Sequence, residues 1–260
     1  MSNTYVLYEK KNTVAWIRLN MPKKMNALEA GLFAELSAAV TTAAADTEVK
    51  CVVLTGSGSA FCAGGDINRF NEGFTLDSGR EYVKAFNPFT RELVNMEKPT
   101  IAAVNGYAVG AGFCLALLCD VVYAREDAKF GMAFRNVGLL PDLAGMYFLP
   151  RLVGLSKAKE LIFTGRNIDA AEAERIGIVS RVFSADAFED GVAQAAENIA
   201  SGPAFALKEA KKVVNESMLM SLEELLLTES YAQGMCFQTA DVAEGVRAFI
   251  EKRKPRFQGR

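Results

Sequence analysis

The sequence predicts an α/β or α+β core with a helical region appended at its C-terminal end, and three observations carry that reading. Short apolar runs lead into glycine-rich corners: Cys51–Leu54 precedes Ala63-Gly64-Gly65, and Thr100–Val104 precedes Gly110-Ala111-Gly112. Segments with apolar residues at helical spacing separate these runs. From residue 186 to the C-terminal end the pattern is almost entirely helical, as expected of helices packed beside a mixed core. A shift in composition at Ser201-Gly202-Pro203 divides an expected core, residues 1–200, from an expected helical region, residues 201–260. Strand spacing alone leaves two topologies open, a doubly wound sheet and a coiled ladder of ββα turns.

In chain order, Tyr5–Tyr8 and Val14–Leu19 flank a polar Glu9-Lys10-Lys11-Asn12 and read as a β-hairpin. From Ala27 the residues Leu28, Leu32, Leu36, Val40 and Ala43 share one helical face. Cys51–Leu54 is continuously apolar and predicts a strand buried on both faces. Residues 68–80 read as polar and mobile, and a helix is expected from about Gly79 to Met96. Pro99 opens the strand Thr100–Val104, Asn105-Gly106 turns the chain, and the apolar run Phe113–Leu118 continues a helix that starts at the glycines. Short strands follow at Asp120–Ala124 and Lys129–Gly131. Pro141-Asp142 then marks a turn into a helix reaching Leu152, and one further strand is expected at Ile178–Phe183. The expected C-terminal helices are 186–200, 203–217, 220–238 and 241–253.

Composition excludes several classes of chemistry. The chain has 260 residues, 50% of them hydrophobic, and a formal net charge of −2, which suits a globular protein with a full core. No basic face of the kind that nucleic acid requires is visible, and only Lys252–Arg256 forms a basic cluster. The N-terminal residues lack an apolar signal core and no run is long enough to span a membrane, so the cytoplasm is the expected compartment. Five cysteines without metal-ligand spacing read as buried thiols, and no metal site is expected. There is no histidine. That removes Ser-His-Asp and Cys-His machinery and the usual zinc hydrolase sites, and leaves acid–base work to Asp, Glu, Lys, Tyr or Cys.

The glycine corners suggest what that work acts on. A helix that starts at glycines leaves backbone N–H groups unpaired at the positive end of its dipole, a place for a phosphate or a developing oxyanion. The order of the glycines, GxxxGxG, is not the dinucleotide fingerprint. The same glycines would also serve simply to pack a helix closely on a strand. Cys114 lies in an apolar helix and reads as an inert thiol. Pro-Asp ahead of a helix is equally a common helix cap, so Asp142 has a structural reading beside a catalytic one.

Taken together, FCAGGDI, KPTIAAVNGYAVGAG with LCD after it, KFG, GLLPD, FLPRLVG and FIEKRKPRF resemble the crotonase family, the enoyl-CoA hydratase/isomerase superfamily. The resemblance runs from about Val14 to the C-terminal end. It implies a superhelix of repeated ββα units, with C-terminal helices that build trimers, often paired into hexamers. It implies an acyl-CoA thioester as substrate, with coenzyme A part of the substrate and no cofactor. By position, the Ala63 and Ala111 N–H groups would hold the thioester oxygen. Ala63, Gly64, Asp66 and Ile67 would form the adenine corner, Lys24 and Ala27 would line the CoA path, and Lys252 would approach the CoA phosphates. Lys252 reads equally as a solvated helix end.

The resemblance breaks at one informative point. Hydratases of the family use two glutamates, at positions held here by Cys114 and Phe134. Neither side chain replaces a carboxylate in adding water to a double bond. Asp142 instead stands where subgroups of the family carry a catalytic Asp. These include double-bond and ring isomerases such as epoxyphenylacetyl-CoA isomerase, and a dehalogenase that also needs a histidine. An isomerase with Asp142 as its single acid–base group is therefore expected, with other acyl-CoA chemistry on the same oxyanion site, or acyl-CoA binding without catalysis, as alternatives. Met132, Phe134, Met146, Tyr147 and Phe148 are expected to make a bulky apolar pocket. Glu72, Asp77 and Tyr82 are expected at a solvated surface above it.

Overall fold

A computed structural model describes residues 4–71 and 73–259; Glu72 lies outside the described residues. Two sheets carry the fold. The larger runs β1 (Val6–Lys11), β2 (Val14–Leu19), β3 (Cys51–Gly56), β5 (Thr100–Val104), β7 (Val121–Arg125) and β10 (Arg181–Phe183). The smaller runs β4 (Ala60–Cys62), β6 (Tyr107–Val109), β8 (Lys129–Gly131) and β9 (Asn167–Asp169). β1 and β2 form the antiparallel hairpin, while β2, β3, β5, β7 and β10 are parallel.

This is the coiled ladder, not the doubly wound sheet. The pairs β3–β4, β5–β6 and β7–β8 each give their first strand to the larger sheet and their second to the smaller. A helical segment then carries the chain to the next turn. The central parallel strands β3 and β5 are buried on both faces, which is why they read as unbroken apolar runs. Cys51 and Val53 of β3 and Ile101 and Ala103 of β5 pack on Phe188, Val192 and Ala196 of α8 (Phe188–Ala200). Their neighbours Val52, Leu54, Ala102 and Val104 face the main core.

The helices sharpen the expectations. α1 (Ala30–Ala45) starts after Glu29, not at Ala27, and it buries Leu32, Leu36, Val40 and Ala43. The segment expected to be mobile contains α2 (Ile67–Phe70) and the start of α3 (Leu76–Lys84). α3 opens at a capping box in which the Thr75 and Ser78 side chains and backbone groups satisfy one another. The single helix expected to Met96 is broken at Phe86, because Pro88 occupies the first turn of α4 (Asn87–Val94). α5 is Ala111–Leu117, entirely buried. α6 (Gly145–Thr164) kinks at Gly154, and α7 (Ala170–Arg175) follows β9. Ile178 and Val179 are buried after α7 without strand pairing, so the expected strand shrinks to β10. α9 (Ala204–Ser217), α10 (Leu222–Cys236) and α11 (Ala240–Ile250) complete the chain. Among the described residues, no helix is long and apolar enough to cross a membrane.

Candidate active site

One wall of the site is backbone. β4 ends at Cys62 and β6 at Val109, side by side in the smaller sheet, so the two glycine corners abut. A Cβ added to Gly64, at φ +100°, would stand 2.9 Å from the Val109 carbonyl oxygen and 3.4 Å from the Ala111 nitrogen. The Gly110 N–H is tied to the Gly131 carbonyl at 2.8 Å, and α5 begins at the next residue.

Ala63 does not supply the donor expected of it. Its N–H already donates to the Met25 carbonyl at 2.9 Å. That carbonyl is held by a left-handed turn, Met25 at φ 50° and Asn26 at φ 56°. The fully buried Asn26 side chain accepts from the Met21 N–H at 2.8 Å and donates to the Ala60 carbonyl at 2.8 Å. The Leu28 N–H in turn donates to the Gly64 carbonyl at 2.7 Å. The N–H groups of Gly65 and Ala111, one in each corner, have no hydrogen-bond partner among the described residues. Both residues line a cavity of about 100 Å³ with Ala63, Gly64, Ile67 and Asp142.

Asp142 stands on the other wall, in the loop between a 3-10 turn (Ala133–Val137) and α6. Leu143 at φ 44° and Ala144 at φ 55° follow it, two left-handed residues other than glycine in succession. Such conformations carry strain of order 1–3 kcal/mol each and collect at functional sites. The helix-cap reading does not hold: the N-cap of α6 is Ala144, and no side chain caps it. The Asp142 carbonyl accepts from the Gly145 N–H at 2.8 Å. Its carboxylate Oδ1 is buried without a hydrogen-bond partner among the described residues. Burial in apolar surroundings pushes the carboxyl up to about 6, since desolvation disfavours the charged form.

Two backbone N–H groups without partners can hold a carbonyl oxygen as it gains charge, and here they share a cavity with the Asp142 carboxylate. Known proteins with this architecture identify the family. The sequence profile of the enoyl-CoA hydratase/isomerase family matches residues 9–260. The chain belongs to the enoyl-CoA hydratase/isomerase, or crotonase, superfamily. A probable enoyl-CoA hydratase of Rhizobium meliloti (strain 1021) is 43% identical over the full length of both proteins. The 1,2-epoxyphenylacetyl-CoA isomerase of Escherichia coli K12 is 36% identical, over 98% of this chain and 99% of that protein. The crystal structure of an enoyl-CoA hydratase subunit from Geobacillus kaustophilus HTA426 superposes with a TM-score of 0.93 at 36% identity, covering 99% of both chains.

Within this crotonase fold neither of the two positions that the resemblance aligns with hydratase glutamates carries a carboxylate. Cys114 is fully buried, with its Sγ 3.9 Å from Met132 Sδ. It packs against Gly145, where an added Cβ would lie 2.4 Å from the sulfur. Burial, and then the charge of Asp142, push its thiol well above the ordinary range, so it stays protonated. Phe134 lines the cavity as an apolar wall. Asp142 is the one carboxylate among the described residues that line it.

A second, larger cavity of about 930 Å³ lies between α3 and residues 138–146. It shares Tyr82, Leu139, Asp142 and Leu143 with the first. Tyr82 therefore belongs to the site and not to a solvated surface. The sequence held one signal for this, since Tyr82 and Phe86 stand at helical spacing with Phe89 and form one aromatic face with Phe33 and Phe74. Asp77 is exposed and paired with Arg80 at 3.8 Å. Of the expected bulky residues only Phe134 and Met146 line a cavity. Met132 sits behind Cys114, Tyr147 lies under the Arg151 guanidinium at 3.4 Å, and Phe148 packs against Tyr147.

Gly64 and Ile67 join Ala63 in the smaller cavity, while Lys24, Ala27, Asp66 and Lys252 line neither. Lys24 pairs with Glu29 at the surface, and the Ala27 N–H donates to the Lys24 carbonyl at 3.1 Å. Lys252 follows α11, exposed, at φ 53°.

Proposed function

We propose that this crotonase is an acyl-CoA isomerase that moves a double bond, or rearranges a ring, through an enolate, with Asp142 as its single acid–base group. The observation that carries the reading is the pairing of one buried carboxylate with two unpaired N–H groups in the same cavity. In this reading the thioester oxygen lies between the Gly65 and Ala111 N–H groups. Asp142 takes a proton from the acyl carbon beside the thioester, and the electron pair moves onto the oxygen held by those donors. The protonated Asp142 then returns the proton to a different carbon. One base suffices when both carbons lie within its reach. Burial suits Asp142 to this, because a carboxyl near 6 both accepts and releases a proton close to neutrality.

Coenzyme A enters as part of the substrate. Ala63, Gly64, Asp66 and Ile67 stay assigned to its adenine corner, Lys24 and Ala27 to its path and Lys252 to its phosphates. The Rhizobium protein and several other relatives are named as hydratases, and an assay separates the two readings. The enzyme should convert 3-enoyl-CoA or ring-bearing acyl-CoA esters and hydrate crotonyl-CoA only at background. Crotonyl-CoA turnover at ordinary hydratase rates would overturn the isomerase assignment.

The C-terminal helices fit a trimer or a pair of trimers. α9 has no buried residue, and Leu222 and Phe249 are 64% and 86% exposed, large apolar side chains of the kind that a neighbouring subunit covers. Sedimentation at micromolar concentration should show no monomer.

A further inference from the structure

The first glycine corner is held by a segment that lines neither end of the reaction. Residues 25–28 run beside it as a short extra strand. The Ala63 N–H donates to the Met25 carbonyl at 2.9 Å, the Leu28 N–H donates to the Gly64 carbonyl at 2.7 Å, and Leu28 pairs with Gly65 in a parallel bridge. Successive backbone groups of a paired strand point to alternate sides, so the bridge turns the Gly65 N–H away from residues 25–28. One side chain fixes that segment. Asn26 is fully buried. Its Oδ1 accepts from the Met21 N–H at 2.8 Å, and its Nδ2 donates to the carbonyls of Ser57 at 3.0 Å and Ala60 at 2.8 Å. An amide suits this set, because one end must accept and the other must donate twice. Met25 and Asn26 are both left-handed, at φ 50° and 56°, a conformation that asparagine tolerates better than most residues. A Cβ added at Gly56 would stand 2.8 Å from Nδ2, so the amide is packed as well as bonded.

We propose that Asn26 is a positioning residue that presets the Gly65 N–H for the substrate's carbonyl oxygen. This rests on the reading of Gly65 and Ala111 as the oxyanion donors, and it adds what holds one of them in place. Donors fixed before a reaction cost no reorganisation while it proceeds. Gly64 and Gly65 are the residues with the least backbone restraint of their own, so the order of this corner has to come from outside it. Asn26 supplies that order through the turn it pins: the adjacent Met25 carbonyl holds Ala63, two residues ahead of Gly65. A second buried asparagine, Asn105, serves as the contrast. It accepts from the Gly56 N–H at 3.0 Å and donates to the Gly58 carbonyl at 3.0 Å. Asn105 thus braces the loop between β3 and β4, and among the described residues its side chain makes no hydrogen bond to residues 21–28.

The test is the infrared stretch of the thioester carbonyl in octanoyl-CoA, labelled there with carbon-13 and bound to wild type, Asn26→Gly and Asn105→Ala. Hydrogen bonds to the oxygen lower that frequency, so the stretch reads the donors without any turnover. Glycine at position 26 keeps the left-handed backbone and removes the amide. Wild type should shift the frequency below that of the ester in water, and Asn26→Gly should lose most of this shift with the ester still bound. Asn105→Ala should lose stability on urea unfolding, having given up a comparable buried amide, yet keep the full shift. Asn26→Ser retains one hydroxyl and should fall between wild type and the glycine variant, whose place it takes if that variant does not fold. A full shift in the Asn26 variants, or an equal loss in Asn105→Ala, would overturn the role of Asn26. Absence of the shift in wild type itself would instead sink the donor pair, and the role of Asn26 with it.

Discussion

The two walls of the site are built by opposite means. On the glycine wall no side chain does chemistry, and its backbone is held by hydrogen bonds: Ala63 N–H to Met25, Leu28 N–H to Gly64, Gly110 N–H to Gly131. The Gly65 and Ala111 N–H groups have no partner among the described residues and cost no rearrangement if a reaction uses them. The other wall concentrates its chemistry in one carboxylate on a strained loop, with an unsatisfied oxygen and a raised pKa. The first wall is held by hydrogen bonds that are made, and the second is set apart by one that is not. Buried polar groups without partners are costly, so a single one opposite an oxyanion site marks function more clearly than a satisfied one would.

The contrast is broken most strongly at the second wall. Asp142→Asn keeps the size of the side chain and removes the base, and isomerisation should fall by about 10²–10⁴ with CoA-ester binding retained. Steady-state kinetics beside calorimetry would show it, and a variant that kept most of its activity would leave the chemistry unassigned. The first wall should yield to Gly64→Ala. Its methyl would press on the Val109 carbonyl at 2.9 Å and strain a residue at φ +100°. Turnover should drop by about 10²–10³ as the N–H pair shifts, and stability by about 1–3 kcal/mol. Urea unfolding beside kinetics separates the two losses, and stability lost without activity would mean that the corner does not position the donors.

The smallest effect sharpens the comparison through pH. With Asp142 as the proposed base, kcat/KM should fall as pH drops through about 6. Stability should move the other way. The folded carboxyl titrates at about 6 against an ordinary 3.8, so between those values the folded state holds a proton that the unfolded chain has released. Stability then declines as pH rises through that window and levels off above it. Asp142→Asn removes this penalty and should gain on the order of 1–3 kcal/mol near neutrality, as thermal or urea unfolding at pH 4.5 and pH 7.5 would show. A gain absent at pH 7.5, or larger at pH 4.5, would count against a buried, uncompensated carboxylate.

Local physics was legible in the sequence wherever it was strong. The unbroken apolar runs of β3 and β5, the buried stripe Leu32–Leu36–Val40–Ala43 of α1 and the start of α5 at its glycines each follow from periodicity and conformational preference over a few residues. The exclusion of histidine chemistry follows from composition alone. The tertiary structure decided whatever depended on partners remote in the chain. Which N–H is free, Gly65 and not Ala63, turns on a carbonyl presented by the Met25-Asn26 turn. Whether Asp142 caps a helix or sits unpaired turns on where α6 begins, and Tyr82 joins it only because α3 folds over the loop 138–146. Hydrogen-bond accounting and desolvation are properties of the assembled surroundings, whereas periodicity belongs to the chain itself, so the sequence set the elements and their packing set the chemistry.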